Sequence, residues 1–211
     1  MKTILCYGDS NTWGWIPVSP VCQGRYSKYE RWPGILEQEL GDGYDIIEEG
    51  LNGRTTVWDD PVEEIMSGKA YLMPCLRSHM PIDLVILMLG TNDLKQRFSV
   101  PAFDIAEANG LLVRIIQKSE TGPDCGAPQV LMLAPPPLGK LTELDELFTG
   151  GAEKSKLLGQ HYQRVADLLG CSYLNTAEVI ASSDIDGIHL EAEAHLKLSK
   201  RVAQAVRGIY E

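Results

Sequence analysis

What this sequence does not contain narrows its function before any motif is considered. No run is apolar for long enough to cross a bilayer: the most apolar stretch, LVILMLG at 84–90, falls far short of the roughly 20 residues a spanning helix needs. Basic residues are the minority, with Lys and Arg numbering 19 against 29 Asp and Glu, for a net charge of -10. A chain so acidic is poorly suited to a polyanion, whose phosphates are held by clustered cations that release counterions, so nucleic acid is not an expected partner. The N-terminus MKTILCYGDS has no long h-region followed by a small-residue cleavage site, so no signal peptide is visible.

Paired cysteines are also missing. The five, Cys6, Cys22, Cys75, Cys125 and Cys171, form no C-x-x-C pair and are odd in number, which suits free thiols in a reduced, cytoplasmic chain. No H-E-x-x-H and no Cys/His cluster is present, so neither a metal nor a cofactor is expected. Repeats, low-complexity tracts and linkers are absent as well, and 211 residues are expected to form a single domain, 1–211, with a core of its own.

What is present is alternation. Strand-like runs at 3–7, 44–49, 83–89, 129–134 and 171–176 are separated by segments of helical spacing at about 32–40, 70–79, 103–119, 153–169 and 191–209. In the last of these, Ala194, Leu198, Val202, Ala205 and Ile209 step by three or four residues into one apolar stripe. DLVILML and QVLMLA are apolar almost throughout, as strands covered on both faces are. Parallel strands need crossover helices, so the pattern predicts an α/β domain of three layers around a mostly parallel sheet. Ligands of such sheets bind beyond the carboxyl ends of the strands.

Four short stretches fall at those ends. YGDSN follows the first strand; taken alone, Ser10 is more readily a helix cap than a nucleophile, and it does not sit in a G-x-S-x-G elbow. GLNGRTT follows the second, where Gly53 suits a positive φ or a backbone N–H that approaches a ligand. LGTND follows the third, and its Asn92 serves either as a turn residue or as an amide donor to a negative oxygen. DGIHL precedes the last helix, with Asp186 three residues before His189, a spacing that lets a carboxylate orient an imidazole and leave its other nitrogen free as a base. His79, His161 and His195 lie on predicted helices and are read as structural or solvated. Together the four stretches supply a nucleophile, a base with its orienting acid, and three oxyanion donors: the Ser10 and Gly53 amides and the Asn92 side chain.

In that order they resemble the four blocks of the SGNH (GDSL-type) hydrolase superfamily, with Ser10, Gly53, Asn92 and His189 in the positions of its name. The resemblance runs from Thr3 to about Gly208, and ILCYGDSNTWGW, DIIEEGLNGRTT, DLVILMLGTND and APPPL look like the bacterial arylesterase and acyltransferase branch. It implies a flavodoxin-like α/β/α sandwich with a five-stranded parallel sheet. It implies a serine esterase acting on short-chain, acetyl-type carboxylic esters through an acyl-enzyme on Ser10, with acyl transfer to alcohols as a side reaction. Trp15, Lys95 and Ile188 are implied as substrate neighbours. A homo-oligomer is implied too, for which the Pro-rich loop 134–151, with Leu141, Leu144, Leu147 and Phe148, would suit a subunit contact. Asn11 departs from the signature, which has Leu there; the departure is expected to bear on packing beside the nucleophile. The alternatives are a carbohydrate acetyl-esterase and a non-catalytic flavodoxin-like binding module.

Overall fold

The computed structural model describes residues 1–17 and 24–211, so Cys22 lies outside the described residues. Five strands, β1 (Lys2–Gly8), β2 (Tyr44–Gly50), β3 (Leu84–Met88), β4 (Gln129–Ala134) and β5 (Ser172–Asn175), form one sheet in the order β2-β1-β3-β4-β5. Every pairing is parallel. Among the described residues, six α-helices accompany them: α1 (Ser10–Trp13), α2 (Trp32–Leu40), α3 (Gly68–His79), α4 (Ala102–Gln117), α5 (Gly151–Leu169) and α6 (Ala192–Tyr210).

Because successive strand residues point to opposite faces, the sheet builds two cores. Leu5, Tyr7, Val85, Leu87 and Met132 meet α3, α4 and α5 on one side. Ile4, Cys6, Ile86, Leu131 and Leu133 meet α2 and α6 on the other. That is the doubly covered sandwich predicted from the apolar runs. Along α6 the stripe is seated on the second face through Leu198, Val202 and Val206, with Ala194, Ala205 and Ile209 packed at its edge.

The differences from the sequence reading are at element ends. α3 starts at Gly68, before the expected 70, because the Ser67 side chain caps it by accepting from the Ala70 N–H. α4 ends at Gln117 with Lys118 as its C-cap rather than running to 119. Strand order reverses between β1 and β3, and at such a switch point the strand ends open a crevice. Among the described residues, no helix is long and apolar enough to cross a membrane.

Candidate active site

The nucleophile turn begins where β1 ends. Asp9 is the cap of α1, its Oδ1 accepting from the Asn11 N–H at 2.9 Å, and Gly14 closes the single helical turn at φ 92°. Ser10 is therefore the first helical residue and not the cap, which leaves its hydroxyl free. The turn sits hard against the sheet: Gly8 and Gly50 are register partners on β1 and β2. A Cβ on Gly8 would collide with the Thr12 side chain, and one on Gly50 with the backbone of Trp13. No other residue type permits that approach.

The Ser10 hydroxyl meets His189. Nε2 of the imidazole lies 3.0 Å from Ser10 Oγ, and Nδ1 lies 2.7 Å from Asp186 Oδ2. The other Asp186 oxygen accepts from the N–H groups of Ile188 at 2.8 Å and His189 at 2.9 Å, so the carboxylate folds its own loop around the histidine. Burial pushes the Asp186 carboxyl up, but the hydrogen bonds and charge of His189 outweigh it and hold the group below the usual carboxylate value. Trp15 covers one face of the imidazole.

Two backbone donors face the same place. Among the described residues, neither the Ser10 nor the Gly53 N–H makes a hydrogen bond to protein. Gly53 has φ +80°, and a Cβ there would lie 2.6 Å from Glu63 Oε2, so the turn requires glycine. Asn92 Nδ2 gives one hydrogen to the Arg54 carbonyl at 3.1 Å, and its other N–H is not taken by a described residue.

The loops that carry these donors are braced by residues the sequence reading passed over inside its own motifs. Asp93 accepts from the Thr56 N–H at 3.0 Å and the Thr56 hydroxyl at 2.5 Å, joining LGTND to GLNGRTT. Arg54 donates to the carbonyls of Gly8, at 2.9 Å, and Glu49, and its guanidinium lies over the Tyr7 ring. Burial pushes both Asp9 and Asp93 up to about 6, against the hydrogen bonds they accept.

A cavity of about 270 Å³ opens on Ser10 and His189. Trp15, Leu144, Leu147, Phe148 and Ile188 form an apolar wall, and Asn52, Glu63 and Lys95 a polar one. All three anticipated substrate neighbours, Trp15, Lys95 and Ile188, line it. The Lys95 ammonium is held 2.6 Å from Glu63 and 3.4 Å from the fully buried Asp60, which Arg97 also contacts at 2.7 Å. Burial opposes the Asp60 charge, but two backbone N–H groups, Arg97 and Lys95 bring its carboxyl down to about 2. In loop 134–151, Leu144, Leu147 and Phe148 line the cavity, and Leu141 packs against the core. A wider polar groove of about 540 Å³ along 177–184 and α6 contains none of these residues.

The remaining histidines have other partners. His195 is fully buried and accepts from the Trp32 N–H through Nδ1 at 3.2 Å. His161 packs edge-on against Phe103. His79 lies 3.0 Å from Glu49 and, with Cys75, makes a group of metal-type donors within 4.8 Å of one another. Burial pushes the Cys75 thiol up to about 12 and Arg54 stands close by, both of which oppose a cation there.

A doubly covered parallel sheet with a serine, a histidine and an aspartate in hydrogen-bonded series at its switch point defines a hydrolase of the serine class. Residues 6–197 match the GDSL-like Lipase/Acylhydrolase family, and the chain belongs to it as an SGNH esterase. A carbohydrate acetylesterase from Sinorhizobium meliloti, Est24, is 42% identical with a TM-score of 0.96, covering 99% of this chain and 100% of that one. An aryl esterase from M. smegmatis is 39% identical with a TM-score of 0.94, covering 99% of each chain. A putative arylesterase from Agrobacterium tumefaciens is 36% identical with a TM-score of 0.90, covering 99% of this chain and 100% of that one. No curated protein matches the chain. This membership removes the non-catalytic binding module from consideration.

Proposed function

We propose that the protein cleaves short-chain, acetyl-type carboxylic esters through an acyl-enzyme on Ser10. The observation that carries the reading is the continuous series Asp186–His189–Ser10, at 2.7 and 3.0 Å, opening on a cavity beside two backbone N–H groups that no described residue accepts from. His189 Nε2 takes the hydroxyl proton as Ser10 Oγ attacks the ester carbonyl. The carbonyl oxygen becomes an oxyanion held by the Ser10 and Gly53 N–H groups and the Asn92 amide. Collapse expels the alcohol, which receives its proton from His189, and water activated by His189 releases the acid from Ser10. Asp186 holds the ring tautomer and balances the imidazolium. An alcohol entering in place of water gives a new ester, so acyl transfer shares the intermediate.

A cavity of about 270 Å³ lined by Leu144, Leu147 and Phe148 favours a short acyl group. A carbohydrate acetyl ester is the second reading. It is favoured by the polar wall, where the buried Asn52 Oδ1 has no partner among the described residues and suits a sugar hydroxyl, and by the likeness to Est24. Assembly into a homo-oligomer is supported by the exposed Val62 and Ile65, close in the chain to the cavity-lining Glu63, and a cytoplasmic setting by the unpaired Cys6, Cys75, Cys125 and Cys171.

The direct test is turnover of p-nitrophenyl acetate with and without an organophosphonate. Loss of activity with one adduct on Ser10, and a fall in kcat of about 10⁴-fold or more in Ser10→Ala with the fold retained, is expected. Turnover that survives Ser10→Ala would overturn the reading.

A further inference from the structure

Asn11, directly after the nucleophile, is buried, and both ends of its carboxamide are engaged with the loop that carries the histidine. Nδ2 donates to the Ile188 carbonyl at 3.3 Å, and Oδ1 accepts from the Leu190 N–H at 3.1 Å. Its two partners are the residues on either side of His189. Apart from the Ser10–His189 contact, these are the only hydrogen bonds between α1 and loop 182–190 among the described residues.

The other ties of that loop run elsewhere. Ser182 donates to the Pro137 carbonyl at 2.9 Å, the Gly139 N–H to the Gly187 carbonyl at 2.8 Å, and Thr142 to the Ile185 carbonyl at 3.3 Å. All three fix the loop to segment 137–142, and none connects it to Ser10. The Asp186 bonds to Ile188 and His189 shape the loop internally and likewise leave its distance from the nucleophile open.

We propose that Asn11 is a positioning residue that sets the reach of His189 Nε2 to the Ser10 hydroxyl and to the leaving oxygen beyond it. The proposal rests on the reading of Ser10 and His189 as nucleophile and base. A leucine, the signature residue at this place, fills the space but leaves the Ile188 carbonyl and the Leu190 N–H unpaired in the interior, where both residues are buried. The loop then relieves them by shifting away from α1, and the imidazole moves with it.

His189 has two proton transfers to perform during acylation, and they differ in their tolerance of such a shift. Taking the Ser10 proton is needed for every ester. Delivering a proton to the departing oxygen matters for an alkoxide, and little for p-nitrophenolate, which leaves as a stable anion. A displaced imidazole therefore handicaps alkyl esters more than activated aryl esters. A fold that is merely loosened lowers both alike.

The experiment compares kcat/KM, which reports acylation alone, for p-nitrophenyl acetate and ethyl acetate in the wild type, Asn11→Leu, Asn11→Asp and Thr12→Val. Asn11→Leu is expected to lose about tenfold on the aryl ester and about 10²-fold on the alkyl ester. Asn11→Asp, which keeps the acceptor for Leu190 and loses the donor to Ile188, falls between, and it carries the test should Asn11→Leu fail to fold. Thr12→Val alters the same turn at a buried hydroxyl without a partner and leaves the aryl-to-alkyl ratio unchanged. An unchanged ratio in the folded Asn11 variants overturns the proposal while Ser10→Ala remains inactive. An active Ser10→Ala overturns the esterase mechanism beneath it.

Discussion

The imidazole of His189 lies almost flat against the indole of Trp15, with ring centroids 5.5 Å apart and planes inclined by 26°. Trp13 backs the indole from 6.1 Å, so one aromatic surface both supports the base and walls the acyl cavity. An aromatic contact of this kind is worth about 0.5–1.5 kcal/mol, and an imidazolium formed during reaction gains further from the ring face. Trp15→Ala is expected to lower kcat/KM for an acetyl ester by about tenfold. The same change enlarges the cavity, so a hexanoyl ester should lose less than the acetyl ester or gain. Equal losses across a series of chain lengths would show that Trp15 does not bound the acyl group.

Asn92→Ala removes one of three donors to the oxyanion, and a loss of about 10²–10³ in kcat with little change in KM is expected. A loss below tenfold would remove Asn92 from that role. Gly53→Ala should be at least as damaging, because its φ of +80° disfavours alanine and the added Cβ meets Glu63 Oε2 at 2.6 Å and Met66 Sδ at 3.2 Å.

Asp60 anchors the polar wall through Lys95 and Arg97, and its side chain has no exposure. Asp60→Ala leaves Lys95, itself buried, facing only Glu63, and should cost about 3 kcal/mol of stability, the scale for breaking a buried pair. The folded carboxyl sits at about 2 against a reference of 3.8. Its stabilisation is thus complete above about pH 4 and lost as pH falls toward 2. Acid unfolding curves should show that component in the wild type and not in the variant.

His195 is held neutral, burial bringing it down to about 3 from 6.5. Once unfolded it takes up a proton below about pH 6.5, so its contribution is present above that value and drains away as pH falls, by about 2 kcal/mol between pH 7 and 5. Asp9 and Asp93 act in the opposite sense: raised to about 6 from 3.8, they favour the folded state increasingly as pH falls through 6. The wild type should therefore melt at nearly constant temperature from pH 7 to 5. His195→Asn keeps an acceptor for the Trp32 N–H and removes the opposing proton, so its melting temperature should rise over that range by about 4–8 °C relative to the wild type. Parallel melting profiles would refute this balance.

Much of the fold was legible because its signals are local. LVILM and QVLMLA carry no polar residue inside the sheet except at Gln129, which reports burial on both faces, and every strand is followed in the chain by at least one helix. The Asp186–His189–Ser10 series was legible because its members fall in short local motifs: Ser10 opens α1 where β1 ends, and Asp186 and His189 stand three residues apart on the loop before α6. What escaped the sequence depends on contacts between distant segments. Asn11 reaches across 177 residues to Ile188 and 179 to Leu190, and no periodicity encodes such a span. Asp9 holds the capping role that YGDSN taken alone suggests for Ser10, because either residue can cap and only the path of β1 into α1 decides between them. Leu144, Leu147 and Phe148 border a cavity assembled with Trp15, Ile188 and other remote residues, a role that the composition of a Pro- and Gly-rich loop does not encode.

The glycine pair at the ends of β1 and β2 has a consequence for how this protein can diversify. With Gly8 and Gly50 beneath α1, the reactive turn rests on bare backbone, and almost any replacement there evicts the serine from its place. Much of the cavity wall is under no such restriction, being supplied by the side chains of Asn52, Glu63, Leu144, Leu147 and Phe148, which only border the reacting atoms. Substrate range can therefore drift through those side chains while the chemistry stays fixed, and a library aimed at new esters should randomise them and leave Gly8, Gly50 and Gly53 untouched.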